Sequence, residues 1–187
     1  MPASALPEPT PFPDHTLESA PAAARRTMAA VTEKSGYLPA AVARLATSPE
    51  TLDGFLRASA AFESTTLDPL SREVLIMTMA TRNDCHVCVA MHTARLTGLG
   101  ADPALVSALR EARPLPDERL EAVREFTLAV LASGGAVDDG TLRAFLGHGY
   151  TARNALEVVL GIGAYTMSTL ANRMTGAPVD AAMAAYA

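Results

Sequence analysis

Residues 68–100 read DPLSREVLIMTMATRNDCHVCVAMHTARLTGLG, which parses as two helices joined by a two-residue turn. Asp68-Pro69 places a capping carboxylate before a proline at the first helical position. From Val74 to Ala80 the first helix is apolar almost all round, as expected of a segment buried at the centre of a helical fold. Asn83 and Asp84 both favour an N-cap, so the second helix is expected to begin at Cys85 and end near Gly98 and Gly100. At helical spacing Cys85, Cys88 and His92 then fall within an arc of about 60°, so two thiols and an imidazole share one face.

The flanking sequence extends the same pattern. Helices are expected from Leu17 to about Lys34, closing at Gly36, from Pro39 to Ala46, and from the Ser48-Pro49 start through Phe62. Further helices are expected over Pro103 to Glu111, Asp117 to Ala132, Asp139 to Leu146, and Thr151 to about Met174. No segment sustains the apolar alternation and turn chemistry of hairpins. The fold class is therefore all-α. Residues 1–16, with five prolines, read as an extended proline-rich arm, and 17–187 as a single all-helical domain whose redox core spans about 69–100.

Composition narrows the functional classes. Hydrophobic residues make up 49% of the 187 but aromatics only 5%, with no Trp, so the core must come from Ala, Leu, Val and Met in closely packed helices. A net charge of −5 offers no basic field for nucleic acid. No run approaches the ~18 apolar residues of a membrane span, and Met1 to Thr16 lacks the order of a secretory signal. The expected location is cytoplasmic, without nucleic-acid or membrane partners. In that compartment thiols are kept reduced, so a lone CxxC reads as redox or metal chemistry rather than a structural staple. An Ala-rich set of nearly all-round apolar helices needs covering, which points to a homo-oligomer.

The chemistry follows from position. A thiol is nucleophilic as thiolate, and a helix N-terminus stabilises that anion, at Cys85 most. The three-residue offset lets the sulfurs close a disulfide with modest adjustment, so a sulfenic acid on one could be resolved by the other. His92, four residues beyond Cys88, is placed to take the proton of Cys88 more readily than that of Cys85. Glu73 becomes the third partner if its helix packs on the next one, where a buried carboxylate would orient the imidazole and raise its basicity. Its bland alternative is a solvated first-turn carboxylate.

Glu73, Cys85, Cys88 and His92 together match E-x(11)-C-x-x-C-x-x-x-H. The chain thereby resembles the carboxymuconolactone decarboxylase-like superfamily in its alkylhydroperoxidase D-like branch, most firmly from about Pro69 to Gly100. The resemblance implies an all-helical fold assembling as trimers or hexamers, and a thiol peroxidase of the dithiol, peroxiredoxin-like type. It implies that Cys88 attacks the peroxide, that Cys85 resolves the sulfenic acid, and that Glu73 with His92 relays protons. It also implies regeneration by an external dithiol, such as a lipoyl group on a partner protein, with no bound cofactor. One departure stands out: alkylhydroperoxidase D proteins carry a histidine where this chain has Val87, whereas His86 lies one place earlier and about 100° round the helix. Decarboxylase members of the superfamily lack the cysteine pair, which disfavours decarboxylation.

Other readings compete. The cysteines could be small buried apolar residues, or Cys85, Cys88 and His92 could ligate zinc with His148 or Glu73 as a fourth ligand. The chain could be a disulfide exchanger in which Cys85, nearest the helix start, attacks first, or a non-catalytic assembly or thiol-sensor module. His86 reads as a helix-surface residue, His15 and His148 as solvated, Met77, Met79 and Met91 as core packing, and Tyr165 and Asn172 as contacts between subunits.

Overall fold

A computed structural model describes residues 11–187. Nine α-helices occur among them: α1 (Ala22–Ser35), α2 (Ala40–Leu45), α3 (Pro49–Glu63), α4 (Pro69–Arg82), α5 (His86–Gly98), α6 (Pro103–Arg110), α7 (Glu118–Ser133), α8 (Asp139–Gly147) and α9 (Ala152–Thr175). A 3₁₀ turn, Ala181–Tyr186, closes the chain, and the described residues hold no strand. The all-α expectation is borne out. None of the described helices is long and apolar enough to cross a membrane.

The starts of these helices follow from local chemistry. Ser48, Asp68, Asp102, Asp117, Asp138 and Thr151 each accept a backbone N–H of the first turn, and Pro49, Pro69 and Pro103 sit where a missing N–H costs nothing. Helix α1 begins at Ala22 rather than Leu17. The Thr16 hydroxyl accepts the N–H groups of Glu18 and Ser19, so that stretch is tied into a turn, and Pro21 cannot extend a helix backwards. Of the proline-rich arm, residues 1–10 lie outside the described residues. Residues 11–16 form no helix, and Asp14 pairs with Arg44 at 2.7 Å.

Helix α4 lies at the centre, packed against α5, α6, α7 and α9. Everything from Glu73 to Ala80 is buried, as the all-round apolar reading requires. Long helix α9 packs on α3 and α4, and at Gly161 there is no room for a side chain. A Cβ there would stand 2.6 Å from Phe62 Cε2 and 2.9 Å from Leu75 Cδ2, both side chains being fully buried. Near the start of α9, buried Glu157 accepts from the backbone N–H and hydroxyl of Thr66 and from the Asn154 amide, fastening the α3–α4 loop. The 3₁₀ turn lies on α5, held where Arg110 donates to the carbonyls of Tyr186 (2.7 Å) and Ala187 (3.2 Å).

Candidate active site

Helix α5 begins one residue later than expected, and Cys85 itself is the N-cap. Asn83 and Asp84 do not cap it, because both are drawn to α9. The Asn83 amide donates to Thr169 Oγ1 at 2.8 Å, while Arg173 bonds both the carbonyl and the carboxylate of Asp84. Asp84 adopts a left-handed φ of 51°, and the Cys85 N–H turns back to the Ala80 carbonyl at 2.8 Å. This tight joint makes α4 and α5 antiparallel neighbours, which brings Glu73 to His92.

All four expected residues are buried, with Glu73 2% and His92 3% exposed. Glu73 Oε2 stands 2.7 Å from His92 Nδ1, which contradicts the bland reading of a solvated carboxylate. The other oxygen of Glu73 lies 3.2 Å from Arg95 Nε, and the Arg95 guanidinium continues to Glu63 Oε1 at 2.9 Å. The Tyr165 ring meets the His92 ring edge-on, with centroids 5.5 Å apart. Burial pushes the Tyr165 phenol up to about 12, so it stays neutral beside the pair.

Cys85 and Cys88 are free thiols with their sulfurs 2.8 Å apart. From α9, Asn172 Nδ2 reaches Cys88 Sγ at 3.4 Å and Cys85 Sγ at 3.9 Å, and Ser168 Oγ lies 3.8 Å from Cys88 Sγ. Asn172 Oδ1 is buried without a hydrogen-bond partner among the described residues. The Cys85 thiol is lowered from 9.0 to about 7, chiefly by the hydrogen bond from Cys88. The backbone N–H groups of Cys88 and Val87 and the Asn172 amide add to this against the opposing effect of burial. The Cys88 thiol moves the other way, far above the usual thiol range, because of its hydrogen bond with Cys85, its burial and the Cys85 charge. Of the two thiols, Cys85 is therefore the one favoured to ionise, and Cys88 the one that keeps its proton.

A cavity of about 500 Å³ opens beside this group. Its walls include Leu45, Phe55, Leu56, Met91 and Met183, and its polar inner end carries His92, Ser168, Asn172 and Tyr165. Val87 lines it too, so apolar wall stands where the resembled proteins carry a histidine. His86 points outward and is exposed, as expected of a surface residue. Neither cysteine lines this cavity itself, which reaches them through His92, Ser168 and Asn172; a wider cleft of about 770 Å³ between α7 and α8 is lined by none of Glu73, Cys85, Cys88 and His92. The zinc reading lacks its geometry: no three His, Cys, Asp or Glu side chains among the described residues converge as ligands would, and His92 Nδ1 is turned to Glu73.

The sequence misplaced two residues and passed over two more. Tyr165 and Asn172, read as subunit contacts, are only 2% and 3% exposed and line the site. Their inward direction was legible in the row Gly161, Ala164, Tyr165, Ser168, Thr169, Asn172, which follows one helical face. Ser168 lies in that row, and Arg95 lies one turn beyond His92, where a buried carboxylate needs a cation.

Residues 49–127 match the model of the carboxymuconolactone decarboxylase family, and this segment contains Glu73, Cys85, Cys88 and His92. The superfamily resemblance read from those residues is borne out. No curated protein matches the chain in sequence. Among solved structures the chain is similar to an alkylhydroperoxidase AhpD core, an uncharacterized peroxidase-related protein from Ralstonia eutropha JMP134. The two share 21% identity over 93% of this chain and 94% of that one, with a TM-score of 0.80. An uncharacterized peroxidase-related protein from Silicibacter sp. TM1040 is likewise 21% identical, over 94% of both chains, with a TM-score of 0.76. The debrominase Bmp8 in complex with 2,3,4-tribromopyrrole is 15% identical over 96% of both chains, with a TM-score of 0.75. These likenesses establish the alkylhydroperoxidase D-like helical fold.

Proposed function

We propose that this protein is a dithiol peroxidase in which Cys88 attacks a peroxide, Cys85 resolves, and Glu73 with His92 moves the proton. The observation that carries the reading is the buried Glu73–His92 pair, 2.7 Å apart, on the helix whose first turn holds two free thiols at 2.8 Å. With its Nδ1 occupied by Glu73, the imidazole has Nε2 left for proton traffic. Cys88 first gives up its proton to His92 Nε2. Its thiolate then attacks the terminal peroxide oxygen, the O–O bond breaks, and the leaving alkoxide is protonated from His92. Cys85, giving its own proton to His92, next attacks the Cys88 sulfenic acid; the disulfide forms and the departing hydroxide takes that proton back from His92 as water. The sum is ROOH plus dithiol to ROH, water and disulfide. Two electrons must come back from an external dithiol, for which a lipoyl partner is the proposal, with no bound cofactor and a reducing, cytoplasmic setting.

The cavity favours an organic hydroperoxide over hydrogen peroxide, since about 500 Å³ of largely apolar wall has nothing to grip in the smaller molecule. The expected homo-oligomer has a candidate surface on α9, where Leu156, Val159, Leu160, Met167, Leu170 and Met174 are all at least 36% exposed. This row is about 27 Å long. It is nearly symmetric about exposed Gly163, so that an antiparallel second copy would set Leu156 against Leu170 and Val159 against Met167. A second functional reading, disulfide exchange with Cys85 attacking first, rests on the lowered Cys85 thiol.

The test is the loss of thiols from the reduced protein on adding hydrogen peroxide or an organic hydroperoxide, with a brominated pyrrole for comparison. Both thiols should disappear in the native protein, and Cys85→Ser should trap a sulfenic acid on Cys88. Full peroxide turnover in Cys88→Ser would overturn the assignment. Absence of any peroxide-dependent loss would leave disulfide exchange or an assembly module.

A further inference from the structure

The Glu73–His92 pair does not end at Glu73. Both carboxylate oxygens are taken, Oε2 by His92 at 2.7 Å and Oε1 by Arg95 Nε at 3.2 Å. Arg95 is itself held at its far end by Glu63, at 2.9 Å, and Glu63 Oε2 lies 3.8 Å from Arg72 Nε. Arg95 separates two hollows: the apolar cavity on the His92 side, and a polar cleft of about 290 Å³ lined by Glu63, Arg72, Glu73 and Arg95. Glu73 is buried whereas Arg95 is half exposed, and the guanidinium pairs with both Glu73 and Glu63.

A buried carboxylate facing an imidazole can be satisfied in two ways. It can draw a proton onto the ring and pair with imidazolium, or it can pair with another cation and leave the ring neutral. The first arrangement disables His92 as a base. The second leaves Nδ1–H donating to Glu73 and Nε2 free. We propose that Arg95 is a positioning residue of the proton relay, the cation that neutralises Glu73 so that His92 remains an uncharged base, and that Glu63 holds Arg95 in place for this. The proposal rests on the peroxidase reading for its role in catalysis, but its effect on His92 is independent of any substrate.

Every charged or titratable group facing His92 belongs in the balance. These are Glu73 from α4, Arg95 and, one helical turn earlier, Cys88 from its own helix, Tyr165 from α9, and, across the cavity, Lys34 of α1, Tyr37 between α1 and α2, and Asp180 ahead of the 3₁₀ turn. Arg110 of α6 reaches the neighbouring Thr93 but is committed to the chain's last carbonyls. Of these groups only Arg95 forms an ion pair with Glu73 beside the His92 contact. Removing its charge strengthens the hold of the pair on a proton, so the ring should remain protonated to higher pH.

The experiment follows the His92 ring by NMR through a pH titration of the reduced full-length protein, with the resonance assigned by its loss in His92→Gln. Arg95→Gln should move the titration up by about one pH unit, the low end of the effect of a close charge. Arg95→Lys should move it by less than half as much. Glu63→Gln, which touches neither Glu73 nor His92, should move it a little in the same direction. The acid limb of peroxide-dependent thiol loss should shift by the same amounts, about tenfold in rate per unit. A His92 titration unchanged in Arg95→Gln, or moved equally by Arg95→Lys, overturns the inference. If the ring shifts as expected but the native protein consumes no peroxide, the placement of Arg95 stands and the peroxidase reading falls.

Discussion

The charge on Cys85 can be removed one donor at a time. At pH 7 a thiol held at about 7 is half thiolate, whereas an ordinary thiol at 9.0 is about 1% ionised, a gain of about 50-fold. Nucleophilicity falls with basicity, so two units cost about 8-fold and leave a net advantage of about 6-fold toward a small thiol reagent. The leading contribution is the hydrogen bond from Cys88, and a bond to a charged group is worth about 1.5–3 kcal/mol. Cys88→Ala should therefore raise the Cys85 midpoint by about one to two units, while Cys88→Ser, which keeps a donor, should raise it less. Asn172→Leu removes a weaker donor and should give a smaller rise. Thiolate absorbance of the reduced protein, followed from neutral to alkaline pH with Cys85→Ser for assignment, reads all of this directly. The native protein should show one thiol titrating near 7 and the second only in strong alkali. The sign carries over to stability: a depressed folded-state value contributes above 9.0 and is lost as pH falls through about 7. The stability margin of the native protein over Cys85→Ser should accordingly widen by about 1 kcal/mol from about pH 6 to pH 8. Two thiols titrating together near 9, or a midpoint unmoved by Cys88→Ala, would refute the assignment of the anion to Cys85.

Two glycines on α9 separate helix propensity from packing. Gly163→Ala meets nothing within 4 Å and should gain about 1 kcal/mol in a free chain, seen as a rise in Tm of about 2–4 °C. Gly161→Ala gains the same propensity but drives a methyl into Phe62 and Leu75 and should lower stability by about 1–2 kcal/mol; a Tm at or above that of the native protein would contradict the packing of α9 on α3 and α4. If α9 meets a second copy about Gly163, Leu170→Glu should reduce the mass seen by light scattering, and an unchanged mass would remove that surface from consideration. Glu157, whose carboxyl is lowered despite burial by bonds from Thr66, Asn154 and Arg153, contributes above its ordinary 4.5 and loses that contribution as pH falls through the lowered value. Glu157→Gln should cost about 1–3 kcal/mol in urea unfolding at neutral pH, with the difference from the native protein closing in acid.

Much of the site could be read from one stretch of chain because its geometry is local. Cys85, Cys88 and His92 are related by helix periodicity, and the joint at Asn83-Asp84 is too short for α4 and α5 to be anything but neighbours, so Glu73 was within reach. The helix starts were legible for the same reason, since a cap acts within three residues. Reading Asn83 and Asp84 as caps failed because Thr169 and Arg173, more than 80 residues away, compete for them. A local pattern records a side chain's preference but not a rival partner brought by tertiary packing.

The sequence by itself determined the all-α class, the central helix and the shared face of two thiols and an imidazole, because each depends on contacts within a turn or two of helix. Only the tertiary structure decided that Asn172 and Ser168 touch the sulfurs, that Arg95 completes the Glu73 pair, and that an apolar cavity opens beside His92. Those depend on how α3, α4, α5 and α9 cross, and the crossing is set by close packing of side chains distant in sequence, as where Gly161 meets Phe62 and Leu75.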